Sequence, residues 1–334
     1  MFVLDSHCDT PSEILRLRDL GLDNECAHVD FPKLKRGGVD GAFFALYVPA
    51  ELDSDPDKAY EYAMSLLDGV NSTLSLYPSL AALATSAEEA YNNKASNRFS
   101  VFIGLENASP IDCLEKVKCL YNKGIRYITL CHSLNNAICD SCAPTVKKWG
   151  GLSPLGREIV AQMNRLGILV DVSHVSDDTF YDVLKYSTKP VVATHSCCRA
   201  LCDHPRNMTD DMIRALAAAG GVIQINFYPL FLDNEFKHLQ EELVASKRPS
   251  YKLIADHIDH VVSLVGVEHV GIGSDFDGIE VTPDGMEDIS MMPKLFDELR
   301  ARGYSESDLK KIASENFFRC LSISSDESQL LKQQ

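Results

Sequence analysis

Apolar residues in this chain gather into short runs rich in β-branched side chains, separated by longer stretches in which they recur every three or four positions. Eight runs stand out: 2–6 (FVLDS), 39–48 (VDGAFFALYV), 100–105 (SVFIGL), 125–131 (IRYITLC), 167–173 (GILVDVS), 190–194 (PVVAT), 221–227 (GVIQINF) and 269–274 (HVGIGS). Their length and composition predict buried strands. The helical spacing between them predicts helices over 57–77, 112–122, 154–166, 177–186, 212–219, 250–265, 292–302 and 305–321. The last opens on Ser305-x-x-Asp308, a capping box. Gly124, Gly167, Pro190, Gly220–Gly221 and Gly266 mark junctions.

Strands alternating with helices imply a parallel sheet covered by helices. Eight such units within 334 residues predict a closed (β/α)8 TIM-type barrel rather than an open doubly wound sheet. No Gly-x-Gly-x-x-Gly follows the first run, which removes the main reason to expect a dinucleotide-binding fold. One barrel domain is expected over 1–322, followed by a polar tail over 323–334. Two connections are long: 134–152, which holds the single tryptophan Trp149, and 228–250. Long loops at the carboxyl ends of barrel strands are expected to cover a site.

The residues that end the runs supply the chemistry, because a barrel of this kind builds its site at the carboxyl ends of its strands. The first run ends in His7 and Asp9, spaced so that an extended backbone puts both on one face. The third ends in Glu106, the fourth in His132, the fifth in His174, the sixth in His195 and the eighth in Asp275. A single histidine at a strand end is ordinary core; seven such residues at one end predict a hydrolytic metal site. The set exceeds the three or four protein ligands of one zinc. It suits two ions about 3.5–4 Å apart with a bridging carboxylate. Glu106 is the natural bridge: His7, Asp9 and Glu106 would hold one ion, and Glu106, His174 and His195 the other. Asp275 would stand by the first ion as ligand and proton acceptor. Two cations acidify the water between them, making a bridging hydroxide available near neutral pH. His132, left over from the ligand count, could donate to a developing oxyanion. Arg206, in Asp203-His-Pro-Arg-Asn207, offers a fork suited to a carboxylate. His28, His204, His238, His257, His260 and His269 are assigned no role.

Composition narrows the partners. Lys and Arg number 32 against 48 Asp and Glu, a net charge of −16, with 45% apolar residues. So acidic a chain lacks the basic patches that nucleic acid or anionic membranes require. No run of about 18 apolar residues is present, the first residues do not read as a signal peptide, and the last carry no lipid-anchor signal. A soluble, cytoplasmic protein is expected, with its eleven scattered cysteines as reduced thiols. Cys139-Asp-Ser-Cys142 is a lone CxxC, weak for zinc or redox work, and Cys197-Cys198 reads as core packing.

These residues together resemble the membrane dipeptidase (renal dipeptidase) family of dizinc peptidases. The matching stretches are Asp5-Ser-His-Cys-Asp-Thr-Pro11, Gly104-Leu-Glu-Asn-Ala108, Thr129-Leu-Cys-His-Ser-Leu-Asn-Asn136, Gly151-Leu-Ser-Pro-Leu-Gly156, Leu169-Val-Asp-Val-Ser-His174, Ala193-Thr-His-Ser196, His204-Pro-Arg-Asn207, Gly271-Ile-Gly-Ser-Asp-Phe-Asp-Gly278 and Glu315-Asn-Phe317. The resemblance implies zinc on His7, Asp9, Glu106, His174 and His195, with Asp275 nearby, and substrate on His132 and Arg206. It implies hydrolysis of dipeptides, including some with a C-terminal D-residue, and a homodimer. The chain departs from mammalian members in lacking export and anchor signals, so it looks like a soluble, microbial-type member. The rival enzyme is another dinuclear amidohydrolase acting on a small amide or lactam; such barrels usually open on His-x-His, and this chain has His-x-Asp. A silent metal- or peptide-binding protein would be expected to have lost a ligand, and none is missing.

Overall fold

A computed structural model describes residues 1–237, 239 and 241–325. Among them lie nine strands: β1 (Leu4–Cys8), β2 (Gly41–Tyr47), β3 (Ala81–Leu83), β4 (Phe99–Glu106), β5 (Ile125–Thr129), β6 (Leu169–Asp171), β7 (Val191–Ser196), β8 (Val222–Ile225) and β9 (Val270–Ile272). Every pairing is parallel, and eight strands follow one another in the order β1-β2-β4-β5-β6-β7-β8-β9. The ring is nearly closed. Its seam is a single bridge between Cys8 and Phe276, flanked by Asp9 N–H donating to the Phe276 carbonyl at 2.9 Å and Asp275 N–H to the His7 carbonyl at 3.0 Å. This is the expected barrel, and candidate site residues stitch its seam.

The eight expected strands are all present. β3 was not expected: it is three residues of Ala-Ala-Leu pairing with Phe99–Val101 at the base of β4, below the point where β5 takes over that edge. The helix Ala87–Ala95 after it was also missed; it is mostly polar, but Ser86 caps it by accepting from Glu89 N–H. Pro56–Leu76, Leu114–Asn122, Pro154–Leu166, Asp177–Tyr186, Asp210–Ala218, Lys252–Val265 and Met292–Ala301 lie within two residues of their expected bounds. Ser153, Ser176 and Thr209 each cap the helix that follows through the side-chain oxygen, satisfying an amide that the helix cannot.

The side-chain alternation of a strand splits the core into two layers. One set packs outward against the helices. The other contributes Leu4, Phe43, Phe102, Tyr127, Leu169, Val192 and Val222 to the barrel interior. Phe317, Phe318 and Leu321 join that interior cluster from the helix Asn316–Ser325. The expected helix 305–321 is there with its capping box, but in pieces: Glu306–Lys310, a wide π-helical turn over Lys311–Glu315, and Asn316–Ser325. Ser314 donates to the Phe2 carbonyl at 3.0 Å, and Asn316 to those of Val267 and Val270 at 2.7 and 2.8 Å. Those bonds seat Phe317 and Phe318 under the barrel as a plug. The helix therefore runs into the stretch expected as a polar tail, with Ser324 buried; residues 326–334 lie outside the described residues, as does His238. Among the described residues no helix is long and apolar enough to cross a membrane.

Candidate active site

Parallel strands deliver their carboxyl ends to one rim, and seven of the eight candidate residues meet there. Glu106 is the last residue of β4, and His195 lies within β7. Asp9 departs from its expected place on the strand: β1 stops at Cys8, and Asp9 stands immediately before the helix Thr10–Leu15 without its side chain capping it. It still arrives beside His7, because β1 shifts register between Asp5 and Cys8 and the chain turns inward. His174 and Asp275 follow their strands by three residues, with φ of 69° and 66°. Left-handed backbone is strained for residues other than glycine and concentrates at functional sites; here it turns both side chains toward the centre. Gly278 leaves the room: a Cβ there would lie 2.1 Å from Asp9 Oδ2.

The contacts converge on Glu106. His7 Nε2 lies 3.5 Å from Glu106 Oε2, 3.5 Å from Asp9 Oδ2 and 3.8 Å from Asp275 Oδ1. On the other oxygen, Glu106 Oε1 is 3.0 Å from His174 Nε2 and 3.4 Å from His195 Nε2, and those two nitrogens are 2.8 Å apart. Three overlapping groups could each hold a metal ion: His7, Asp9 and Glu106; Glu106, His174 and His195; and His7, His195 and Asp275. The donor chemistry fits divalent cations. The buried carboxylates of Asp9 and Glu106 stand with the half-buried one of Asp275, while His7 Nε2 and Asp9 Oδ1 are buried without a hydrogen-bond partner among the described residues.

Electrostatics separates the imidazoles. Burial works to lower the pKa of His7, but the Glu106 and Asp9 carboxylates outweigh it and hold the group well above its ordinary value. Burial, with Arg206 and the neighbouring rings, pushes His174 and His195 well below theirs. His132 is pushed down to about 4 by burial and by Arg206. Burial and the Glu106 charge raise Asp9 to about 6. Burial, with the Asp9 charge behind it, also raises Asp275.

His132 stands against this cluster, its ring centroid 4.2 Å from that of His174 and 4.8 Å from that of Tyr47. Arg206 is not at the centre: its guanidinium donates to the His195 carbonyl at 2.9 Å and to Ser196 Oγ at 3.3 Å. A cleft of about 570 Å³ is lined by Glu106, His132 and His174, by Asp9, Tyr47 and Asp275, and by Arg18 and His28 among others. No described residue of 134–152 or 228–250 lines it, against the expectation that those loops cover the site. Asp140 explains the first of them. Its carboxylate collects the N–H groups of Lys148, Trp149 and Gly150, folding the loop onto itself. Ser141 Oγ lies within reach of the carbonyls of both His132 (2.5 Å) and His174 (3.2 Å), to which it offers its one proton. The two residues inside the CxxC thus brace the site, while all eleven cysteines are free thiols and Cys197 and Cys198 are buried in the core.

Several supporting residues were not singled out. Tyr47 ends β2 level with Glu106 and could have been found by the strand-end rule. Asn226 donates to Asp275 Oδ2 at 2.8 Å. Tyr127 is completely buried, with its hydroxyl 2.8 Å from His7 Nδ1. His28, assigned no role, lines the cleft and accepts from Asp277 N–H through Nδ1.

The barrel and its rim of carboxylates and imidazoles define a hydrolase of the metal-dependent kind. Residues 1–334 match the family model described as membrane dipeptidase, peptidase family M19, and the chain belongs to that family of metallopeptidases, which act on peptide bonds. Dipeptidase verJ of Clonostachys rogersoniana is 36% identical over 346 aligned positions, covering 99% of this chain and 86% of that protein. Dipeptidase aclJ of Aspergillus oryzae is 36% identical over 306, covering 90% and 70%. A metallopeptidase from Rhodobacter sphaeroides, solved with a phosphinate mimic of the dipeptide L-Ala-D-Ala, superposes with a TM-score of 0.86 at 26% identity over 97% of this chain and 99% of that one.

Proposed function

We propose that residues 1–322 form one catalytic domain that hydrolyses the amide bond of free dipeptides at a centre of two zinc ions. The observation that carries this reading is Glu106, whose two oxygens each face a separate set of nitrogen and oxygen donors. His7, Asp9 and Glu106 would hold one ion, Glu106, His174 and His195 the other, with Asp275 beside the first. Bound there, the pair would supply Lewis acidity and an acidified water near neutral pH. The remaining steps belong to the side chains. Asn226 occupies Asp275 Oδ2, which leaves Oδ1 to take the proton of the attacking water and deliver it to the leaving amine. His132 stays neutral at physiological pH and retains one ring N–H for the tetrahedral oxyanion. Arg206 binds the terminal carboxylate. The ligand mimicked in the Rhodobacter sphaeroides structure supports including dipeptides with a C-terminal D-residue. The free thiols support a reducing, cytoplasmic setting. A homodimer follows from the family resemblance and can be read by analytical ultracentrifugation.

Glu106→Gln tests the centre. It should lose at least one metal by elemental analysis and nearly all turnover on a panel of L-L, L-D and glycine-containing dipeptides. Two ions retained, with activity within about tenfold of the parent, a difference of about 1.4 kcal/mol, would end the bridging assignment.

A further inference from the structure

Asp171, the last residue of β6, is completely buried and does not line the cleft. Its Oδ1 accepts the backbone N–H of Thr194 at 2.9 Å and of Ser173 at 3.0 Å. Its Oδ2 accepts the hydroxyls of Thr129 at 2.5 Å and Thr194 at 2.7 Å. A carboxylate only accepts, so each of these partners donates. Thr194 has one hydroxyl proton, and Asp171 takes it. The same hydroxyl oxygen lies 2.9 Å from Nδ1 of His195, where it is left able only to accept. Nδ1 must therefore carry the proton, and in a neutral imidazole the lone pair then falls on Nε2. Nε2 is the atom that faces Glu106 Oε1 and His174.

We propose that Asp171 is a positioning residue that sets the tautomer of His195 through Thr194, keeping Nε2 unprotonated toward the metal position. Its consequence for metal binding rests on the reading of His195 as a ligand; the tautomer itself does not. Asp171→Asn shows how the device would fail. The amide oxygen must meet the two backbone N–H groups, so the NH2 replaces Oδ2 and donates to both threonine hydroxyls. The Thr194 proton is then turned onto Nδ1 of His195, and the ring proton moves to Nε2, the ligand position. One isosteric substitution reverses the direction of a hydrogen-bond chain.

The test uses the full chain labelled with ¹⁵N-histidine, zinc-loaded and chelator-stripped. Long-range ¹H–¹⁵N spectra identify the tautomer, with His195 assigned by its loss in His195→Gln. The parent should show Nδ1–H in both forms, and stripped Asp171→Asn should show Nε2–H. Competition with a chromophoric chelator should find one of two zinc ions bound about 10- to 100-fold more weakly, the usual effect of losing a group that orients a ligand. Thr194→Ser should keep the parental tautomer and affinity, whereas Thr194→Val should mix the tautomers; this pair carries the test if Asp171→Asn does not fold. Thr129→Val removes the other hydroxyl from the same carboxylate oxygen and should change neither. An Nδ1–H tautomer retained in Asp171→Asn overturns the proposal. So does a loss of zinc from Thr129→Val as large as that from Asp171→Asn, since Asp171 would then be only a structural knot. A parent that binds no zinc sinks the ligand reading, while the tautomer measurement still decides the relay.

Discussion

Arg206 meets two demands with one guanidinium. It braces β7 through the His195 carbonyl and Ser196, and its charge reaches His132 and His174. The fork still has donors to spare: its Nε is buried without an acceptor among the described residues. A charge-assisted contact to a substrate carboxylate is worth roughly 1.5–3 kcal/mol, so Arg206→Ala should lose about 10- to 100-fold in kcat/KM on free dipeptides and much less on C-terminally amidated ones. Steady-state kinetics on matched pairs checks it; equal losses would leave Arg206 with the bracing role alone. Of the candidate residues, those read from strand ends were legible because a parallel barrel makes sequence position at a strand end equivalent to position on one rim. Asp171, Tyr127 and Thr194 were not legible as support, because the strands of Asp171 and Thr194 are buried along their whole length and that of Tyr127 everywhere but at Arg126. Pattern alone cannot tell a buried polar side chain that orients a ligand from one that merely satisfies a backbone group.

Adjacent strands carry the site on a size match. Gly104 of β4 lies against Tyr127 of β5, and a Cβ there would fall 2.1 Å from the Tyr127 Cζ. The absent side chain gives the phenol its place, and the phenol reaches His7 Nδ1. Gly104→Ala should displace the ring and lower stability by about 1–3 kcal/mol, seen as a lower melting temperature. Tyr127→Phe keeps the ring and removes only the hydroxyl, so it should melt near the parent yet bind metal about tenfold more weakly in a chelator competition. Parental affinity in that variant would reduce Tyr127 to a space-filler. The same scale shows why element reading succeeded and where it stopped. The long strands and amphipathic helices announced themselves, whereas three-residue β3 is too short to carry a period, and the π turn at Lys311–Glu315 keeps a helical pattern while changing where the next turn points.

For the molecule as a whole, acid stability should bear the mark of a histidine outside the cluster at the rim. His257 is buried on the helix Lys252–Val265. Its Nδ1 accepts from Cys198 N–H at 3.0 Å and its Nε2 lies 2.9 Å from the Leu232 carbonyl, so both nitrogens are used by the neutral ring. Burial pushes its pKa down to about 4, against about 6.5 in the unfolded chain. Between those values the unfolded state binds the extra proton, so stability is fully present above about 6.5 and drains away as the pH falls toward 4. The drop from this one group is of order 3 kcal/mol at most. His257→Gln should start less stable and show a shallower decline over that window, measured by denaturant melts in a pH series; parallel curves would assign the acid lability elsewhere.

The plug formed by Phe317, Phe318 and Leu321 has a consequence for biogenesis. The aromatic layer it completes includes Phe2 and Leu4, at the first strand, and side chains from most of the other strands. Until translation delivers Asn316–Ser325, that layer has water where its last partners belong, however many βα units have already paired. The growing chain is an open bowl with an apolar floor, a form that invites chaperone capture or wrong association, and the bowl closes only after a helix that follows every strand in chain order.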